Sequence, residues 1–373
     1  MKFAIITHVP HGCNGKGYFA YAPYVREMNI WTKFVDEVIL VAPLELQEET
    51  PIHINYEHKK IDFRTIQSMD LLTFRSKITA LMRLPKTFFS IYKSMRTADH
   101  IHLRCPGNIG LLGCLTQILF PSKPKTAKYA GNWDPNAAQP LSYRFQKWLL
   151  NNTFLTKNMQ VLVYGEWAGS SSNIKPFFTA TYREHDKIEI APRLLEKPLI
   201  MVFAGTLAPG KRPLYAVQLV EKLNAAGCNI KLKFYGDGSE KLKLETYCIQ
   251  NQLQDTVAFM GNANEITLRK AYQQSHFVIL PSQSEGWPKV IAEAMFWGSV
   301  PVASAVSCVP DMLDKGERGV LLSMDLHSDV GQLQDLLNDS ERYKQSSENG
   351  MNWSRKYTLD YFEQQIEEIL KRK

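Results

Sequence analysis

Cysteine is scarce and unpaired in pattern. The six cysteines (Cys13, Cys105, Cys114, Cys228, Cys248, Cys308) are scattered through 373 residues with no C-x-x-C, so they read as reduced residues, several of core type, not as a disulfide or zinc framework. No D-x-D string and no His/Asp cluster with metal-ligand spacing occurs, and no metal is expected. The fingerprint G-x-G-x-x-G is missing after the first apolar run, which disfavours a nicotinamide dehydrogenase. Long apolar runs are absent too: Ile109–Phe120 is the longest, and polar breaks interrupt it, so no bilayer span is expected. One lysine and a short apolar run open the chain, less than a signal peptide needs. Zinc-finger spacing, an RNP string and a basic-region heptad are also lacking, so nucleic acid is not an expected partner. The expectation is a cytoplasmic protein, peripheral on the inner face of a membrane where it touches one.

What is present fits a globular chain long enough for two full cores. Hydrophobic residues make up 45% and charged residues 22%, ordinary proportions. Charge is uneven. Residues 1–190 hold 23 Lys and Arg against 15 Asp and Glu, whereas the remainder holds 21 against 22. A basic first half favours an anionic surface or substrate.

The most informative stretch is 276–305, HFVILPSQSEGWPKVIAEAMFWGSVPVASA. His276–Leu280 predicts a buried parallel strand. A polar loop follows with Glu285, Gly286 and Trp287, and Pro288 suits the first position of a helix because it lacks the N–H that would be unpaired there. Lys289–Trp297 is that helix, with Val290, Ile291, Ala294 and Met295 inward, and Gly298 provides a left-handed cap. Val300–Ser304 is the next strand. Glu285 lies before the helix and Glu293 inside it. A helix N-terminus is an anion site, so a nucleotide-sugar can lie with its diphosphate on these amides, its sugar hydroxyls on Glu285 and its ribose on Glu293. The alternatives are a chance pair, or an acid that merely complements the helix dipole.

The N-terminal half opens with a strand, Phe3–Thr7. The glycine-bearing loop His8–Gly17, with Gly12, Gly15 and Gly17, leads into a helix from about Tyr18 to Lys33, unless Pro23 marks its start. Such an opening suits a nucleotide-binding α/β unit, or is simply a turn. Strands are expected at Glu37–Ala42, Tyr56–Phe63, His100–Arg104, Lys125–Ala130 and Gln160–Tyr164, and a helix at Leu141–Phe154. Between Asp70 and Asp99 lie Arg75, Lys77, Arg83, Lys86, Lys93 and Arg96 with no acid between, interleaved with Phe74, Phe88, Phe89 and Tyr92. Pro85 is expected to split this into two helices. A basic amphipathic helix can rest on an anionic membrane; it can equally pack one side on a sheet and solvate the other. Arg104 ends its strand, where it can hold a phosphate or acceptor carboxylate, or form a strand-end ion pair. Asn132 and Asp134 follow the next strand, where α/β proteins bind ligands, and are candidate acceptor contacts.

The pattern restarts around Pro192–Pro198. Leu199–Ala204 is a strand, followed by Gly205-Thr206-Leu207-Ala208-Pro209-Gly210-Lys211 and a helix with Val217, Val220 and Leu223 on one face. A lysine at a helix start is disfavoured by the dipole, which suggests an anion beside Lys211. Leu232–Tyr235 ends in the turn Gly236-Asp237-Gly238, Val257–Met260 leads to Gly261-Asn262, and Leu359, Phe362, Ile366 and Ile369 stripe a last helix capped by Thr358.

The string EGWPKVIAEAMFWGSVPVAS resembles the E-x7-E signature of retaining glycosyltransferases of family GT4. Phe296 replaces a small residue, and one residue is added between Gly298 and Pro301. The resemblance is sharpest over 199–323. It implies an α/β GT-B fold: two Rossmann-like domains facing across a cleft, 1–190 binding acceptor, 191–353 binding nucleotide-sugar, and 354–373 as a helix crossing back. It implies a donor site with Glu285 positioning the sugar, Glu293 on the ribose, Gly286, Trp287 and Pro288 around them, and the base near Gly261. Gly15 and Gly17 would face the diphosphate. The family's G-R-x4-K places Lys211 on the diphosphate, with Thr206 in the arginine position. A strand-end histidine of many members is replaced by Arg104. The reaction implied is transfer with retention, by front-face attack in the family's manner, from a nucleotide-diphosphate-sugar to a glycan or lipid-linked acceptor of the lipopolysaccharide type, without cofactor or metal. A GT-B nucleotide-sugar epimerase and a non-catalytic nucleotide-sugar or glycan-binding protein are the alternatives.

Overall fold

A computed structural model describes residues 1–46, 48–50, 52–69, 74–191 and 193–371, without the side chains of 74–80. The chain divides into two compact units, Met1–Phe177 with Glu363–Lys373, and Phe178–Phe362. The side chains of Phe74, Arg75 and Lys77, and residues Asp70 and Pro192, lie outside the described residues.

The first unit contains, in chain order, β1 (Lys2–Ile6), β2 (His11–Asn14), β3 (Gly17–Tyr21), α1 (Ala22–Thr32), β4 (Glu37–Pro43), β5 (His53–Asn55), β6 (Ile61–Ile66), α2 (Phe74–Thr97), β7 (His100–Cys105), α3 (Asn108–Thr116), β8 (Lys125–Tyr129), α4 (Leu141–Leu150), β9 (Met159–Tyr164) and β10 (Ile174–Phe177). Seven of these strands form a parallel sheet in the order β10-β9-β8-β7-β1-β4-β6. β1 and β4 are apolar on both faces, as buried parallel strands commonly are, whereas the central strand β7 carries His100, His102 and Arg104 on one face. Ile6, Val41, Leu103 and Val161 form one core with Ile91 and Met95 of α2, Ile109 and Leu112 of α3, and Leu149 and Leu150 of α4.

Several expectations change here. The stretch read as a glycine loop and early helix is an antiparallel ribbon, β2-β3-β5. Gly15 and Lys16 form its turn, and Gly17 has φ +120°. The helix then begins at Ala22, with Pro23 in its first turn, where proline's missing N–H costs nothing. The third strand is β6, later than Tyr56–Phe63. α2 runs unbroken through Pro85, and α4 stops at Leu150 because Asn152 folds back: its Oδ1 accepts from the backbone N–H of Phe154 and Leu155, both at 3.0 Å.

The second unit contains β11 (Leu199–Ala204), α5 (Pro213–Ala225), β12 (Ile230–Tyr235), α6 (Lys241–Gln250), β13 (Val257–Phe259), α7 (Glu265–Gln274), β14 (Phe277–Leu280), α8 (Lys289–Phe296), β15 (Val300–Ser304), α9 (Val309–Met312), β16 (Val320–Leu322), α10 (Leu326–Asn338), α11 (Ser340–Ser354) and α12 (Leu359–Lys371). The sheet order is β13-β12-β11-β14-β15-β16, all parallel. The expected stripe Val217, Val220 and Leu223 is fully buried on it. Gly298 ends α8 at φ +74°. The last helix begins in the second unit and ends in the first, with Phe362, Ile366 and Ile369 buried.

Candidate functional site

In each sheet the chain builds outward from one strand and then returns to its other side. The reversal lies between β1 and β7 in the first unit and between β11 and β14 in the second. Loops part at such a point, and open α/β sheets bind ligands there, beyond the carboxyl ends of the strands.

In the second unit the loop after β11 carries Thr206 and Lys211, and the loop after β14 carries Glu285. Lys211 Nζ stands 2.5 Å from Glu285 Oε1. This is the pair the sequence separates by 74 positions. Backbone geometry explains why they meet. The loops after β11, β12 and β13 are joined by Gly205 N–H to the Tyr235 carbonyl (2.9 Å), Leu207 N–H to Asp237 (3.0 Å) and Gly236 N–H to Gly261 (2.8 Å). Gln283 N–H donates to the Gly210 carbonyl at 2.8 Å, fixing the acidic loop against the Pro209–Lys211 turn. On its far side the Ser304 hydroxyl donates to the Ser282 carbonyl at 2.5 Å, and Ser307 and Cys308 donate to the Gly286 carbonyl at 3.3 and 3.1 Å.

The glycines make this close approach achievable. Gly205 and Gly236 adopt φ +143° and +147°, and a Cβ on Gly236 would lie 1.9 Å from the Gly205 carbonyl oxygen. A side chain there has no room. Trp287 stacks on Trp353 of α11, with centroids 6.0 Å apart, and meets Tyr357 edge-on. Pro288 is the cap of α8, one position before the helix proper.

Glu293 is placed elsewhere on α8's surroundings. Its carboxylate accepts from the Thr181 hydroxyl at 2.6 Å and the Tyr272 hydroxyl at 3.4 Å. Burial raises its pKa above the ordinary value, with the Thr181 hydrogen bond and Lys289 acting in the opposite sense. An acid with a raised folded pKa favours the folded state most below its unfolded pKa, and loses that advantage as pH rises toward the folded value. Replacing Glu293 by Gln should therefore flatten the fall in melting temperature above about pH 4.5, which parallel thermal melts across pH 4–7 of roughly a dozen buffers will read. Equal pH slopes in both proteins would remove Glu293 as the cause.

The first unit's reversal point holds Arg104, at the end of β7. Arg104 Nη1 pairs with Glu27 Oε2 of α1 at 3.0 Å, and its guanidinium lies over the Tyr24 ring. Among the readings open for Arg104, the strand-end ion pair is the arrangement present. Both partners are largely buried, so Arg104→Ala should destabilise this unit by about 3–5 kcal/mol, the range for stranding one charge of a buried pair. Denaturant unfolding checks it, and a loss under about 1 kcal/mol would match an exposed pair instead. Asn132 and Asp134 cap their own loop: Asn132 Oδ1 accepts from Asp134 N–H (2.9 Å) and Asp134 Oδ1 from Asn136 N–H (2.8 Å). Gly15 and Gly17 serve the ribbon turn described above.

One organising residue escaped the sequence reading. Arg193 donates through Nη2 to the carbonyls of Tyr272, Gln273 and Trp297 at 3.0, 2.8 and 2.6 Å, tying the ends of α7 and α8. A lone arginine near a proline-rich stretch gives no signal of this in sequence. Among the described residues, no three His, Cys, Asp or Glu side chains gather as a metal-binding set.

Residues 185–353 match the family model of glycosyl transferases group 1. Over this segment, a little under half of its length, the chain is similar to that family. The matched segment includes the Lys211–Glu285 pair and both loops that carry it. Among curated relatives, an uncharacterized glycosyltransferase of Methanocaldococcus jannaschii is 23% identical over 160 residues, 43% of this chain and 44% of its own length. The lipopolysaccharide 1,2-N-acetylglucosaminetransferase of Salmonella typhimurium is 25% identical over 207 residues, 52% of this chain and 54% of its own. The chain thus spans less than half the length of the first curated relatives it matches. The Anabaena HepE structure in complex with UDP and glucose is similar over 99% of both chains, with a TM-score of 0.68 and 14% identity. Such likenesses establish the GT-B fold for this protein.

Proposed function

We propose that this protein is a retaining glycosyltransferase that moves a sugar from a nucleotide-diphosphate-sugar to a glycan or lipid-linked acceptor in cell-surface polysaccharide synthesis. The observation that carries the reading is the Lys211–Glu285 pair at the reversal point of the second sheet. A cation and a carboxylate held together there suit the two halves of a sugar diphosphate. The family match over residues 185–353 supports the class of reaction, and the lipopolysaccharide relative supports the polysaccharide setting.

In this mechanism the donor's diphosphate draws Lys211 and the loop amides toward it. Glu285 accepts hydrogen bonds from sugar hydroxyls. As the bond from the anomeric carbon to the diphosphate oxygen breaks, charge grows on the departing diphosphate, and Lys211 stabilises it without reorganisation. The acceptor hydroxyl attacks from the same face, its proton passing to the leaving phosphate, so configuration is retained. No divalent ion is assigned to the step. Thr206, Gly261, Gly286, Trp287 and Pro288 line the donor region in this reading, and Glu293 serves the ribose if donor binding exchanges its Thr181 and Tyr272 partners.

A thermal-shift panel of UDP, GDP, ADP, CMP and NAD, each with and without magnesium, tests it, because a ligand of the folded state raises the melting temperature by mass action. A magnesium-independent shift with one nucleoside diphosphate is expected. A response to NAD alone, or to none of the diphosphates, overturns the reading.

A further inference from the structure

The helical layer formed by α2, α3 and α4 in the first unit is unusual in its outer face. The inner face is the core described above. Outward, α2 presents Leu81, Met82, Leu84 and Phe89, all exposed. Leu115 and Leu119 are exposed on α3 and the turn after it. On α4 the exposed side chains are Leu141, Phe145 and Trp148, at the i, i+4, i+7 spacing of one helical stripe. Phe145 and Trp148 stack at 5.7 Å, and Lys157 lies 5.2 Å from the exposed Phe154 ring. Ten of the fourteen exposed large hydrophobic residues described in Met1–Phe177 belong to this layer or its connections. Scattered apolar residues are normal on a surface, but a concentration of this kind marks an interaction face.

Charge says what covers it. From residue 71 to 165 there are thirteen Lys and Arg and two acids, Asp99 and Asp134, so α2, α3 and α4 themselves contain no acid. Lys86, Lys93 and Arg96 are exposed on α2, and Arg144 on α4 beside Phe145. The C-terminal end of α2 is tied down by Lys123, whose Nζ donates to the Met95, Arg96 and Ala98 carbonyls at 2.8, 2.6 and 2.5 Å. No helix is long and apolar enough to cross a membrane among the described residues. Apolar side chains set among lysines and arginines, with aromatics at the boundary, match the chemistry of a lipid headgroup layer.

We infer that the outer faces of α2, α3 and α4 together form a docking surface for an anionic lipid bilayer, with Phe145, Trp148 and Phe89 entering the headgroup region and Lys86, Lys93 and Arg144 meeting lipid phosphates. This deepens the lipid-linked acceptor and rests on that reading for its purpose. It extends the basic amphipathic pattern of α2 to three helices, and gives α4 the aromatic anchor.

Vesicle co-sedimentation of the full chain tests it. Vesicles of phosphatidylcholine alone are compared with vesicles containing about a third phosphatidylglycerol, at low and high salt. Binding is expected to the anionic vesicles only, and to weaken with salt. The variants Phe145→Ser/Trp148→Ser and Lys86→Glu/Lys93→Glu should each weaken it about tenfold or more, since a basic residue near such a surface is worth roughly a factor of five. These side chains are exposed, so thermal melts of both variants should match the parent. No binding, or equal binding by parent and both variants, overturns the assignment. A dimer in sedimentation velocity that dissociates in Phe145→Ser/Trp148→Ser also overturns it, by giving the face to a second copy. Nucleoside diphosphate binding, measured on the same samples without vesicles, separates the two failures: its loss alone removes the transferase reading, and loss of vesicle binding alone removes this surface.

Discussion

Lys211→Ala is expected to abolish most turnover and to weaken nucleoside diphosphate binding, whereas Glu285→Gln is expected to abolish turnover with that binding kept. The two residues touch in the structure, at 2.5 Å, so a simple ion-pair account predicts the same phenotype for both. The chemistry proposed predicts different ones. Lys211 opposes the charge that grows on the departing diphosphate, an interaction whose removal costs about 10²–10³-fold in rate where a transition-state donor is lost. It also meets the ground-state diphosphate, so affinity falls with it. Glu285 meets the sugar, and a nucleoside diphosphate has none. Freeing Lys211 from Glu285 leaves the cation available to phosphate, so affinity in Glu285→Gln is held or raised. Stability is affected less than in a fully buried pair, because the Lys211 side chain is 32% exposed although Glu285 is 9% exposed. Isothermal titration with the diphosphate identified in the thermal panel, together with initial rates, separates the outcomes. Unchanged diphosphate affinity in Lys211→Ala would sink the assignment of that lysine.

The second large effect is on folding. Gly236→Ala should destabilise the second unit by about 3–5 kcal/mol, in the range reserved for backbone strain and severe overlap. The new Cβ would stand 1.9 Å from the Gly205 carbonyl oxygen, a backbone atom on the neighbouring strand end that cannot swing away like a side chain. The φ of +147° adds strain of its own. Gly205→Ala is the control. Gly205 has φ +143° but nothing within 4 Å of its Cβ position, so only the conformational cost applies, about 1–2 kcal/mol. Urea unfolding of both variants reads the difference. Equal losses would mean that the loops part easily and that the contact between them is not what fixes the site.

The second unit was legible because its sequence signals agree at every level. The apolar run into Leu280, the polar loop, Pro288 and Gly298 mark one strand-loop-helix-strand unit, and the structure has it with boundaries moved by a residue at β14 and α8. The first unit was harder. Its glycine-bearing loop reads as a nucleotide-binding opening or simply a turn, but Asn14-Gly15 followed by Gly17 and alternating residues is also a hairpin signal, and the chain pairs Gly12 with Phe19 and Cys13 with Tyr18. Pro85 suggests a break because proline interrupts an isolated helix. Packing of Ile91 and Met95 on the sheet holds α2 together beyond it. The edge strand β10 gave no signal, since its four residues, IKPF, alternate weakly and contain proline. In the site, Lys211 and Glu285 could be named but their contact could not, because it depends on the reversal of strand order. The partners of Glu293, Thr181 and Tyr272, come from distant segments that carry no motif.

The discontinuity of the first unit has a consequence for biosynthesis. Residues 178–362 form a complete body interrupting the first, and the first is finished only by Glu363–Lys373, where Ile366 is fully buried and Glu363 pairs with Lys33 at 2.9 Å. Domains fold as units while the chain is being made, so the ribosome delivers the inserted body whole while the earlier one still waits for its closing turns. Those turns emerge only after the inserted body. The unit begun before residue 178 is therefore completed after residue 362, and it waits with apolar surface uncovered while the body between is translated.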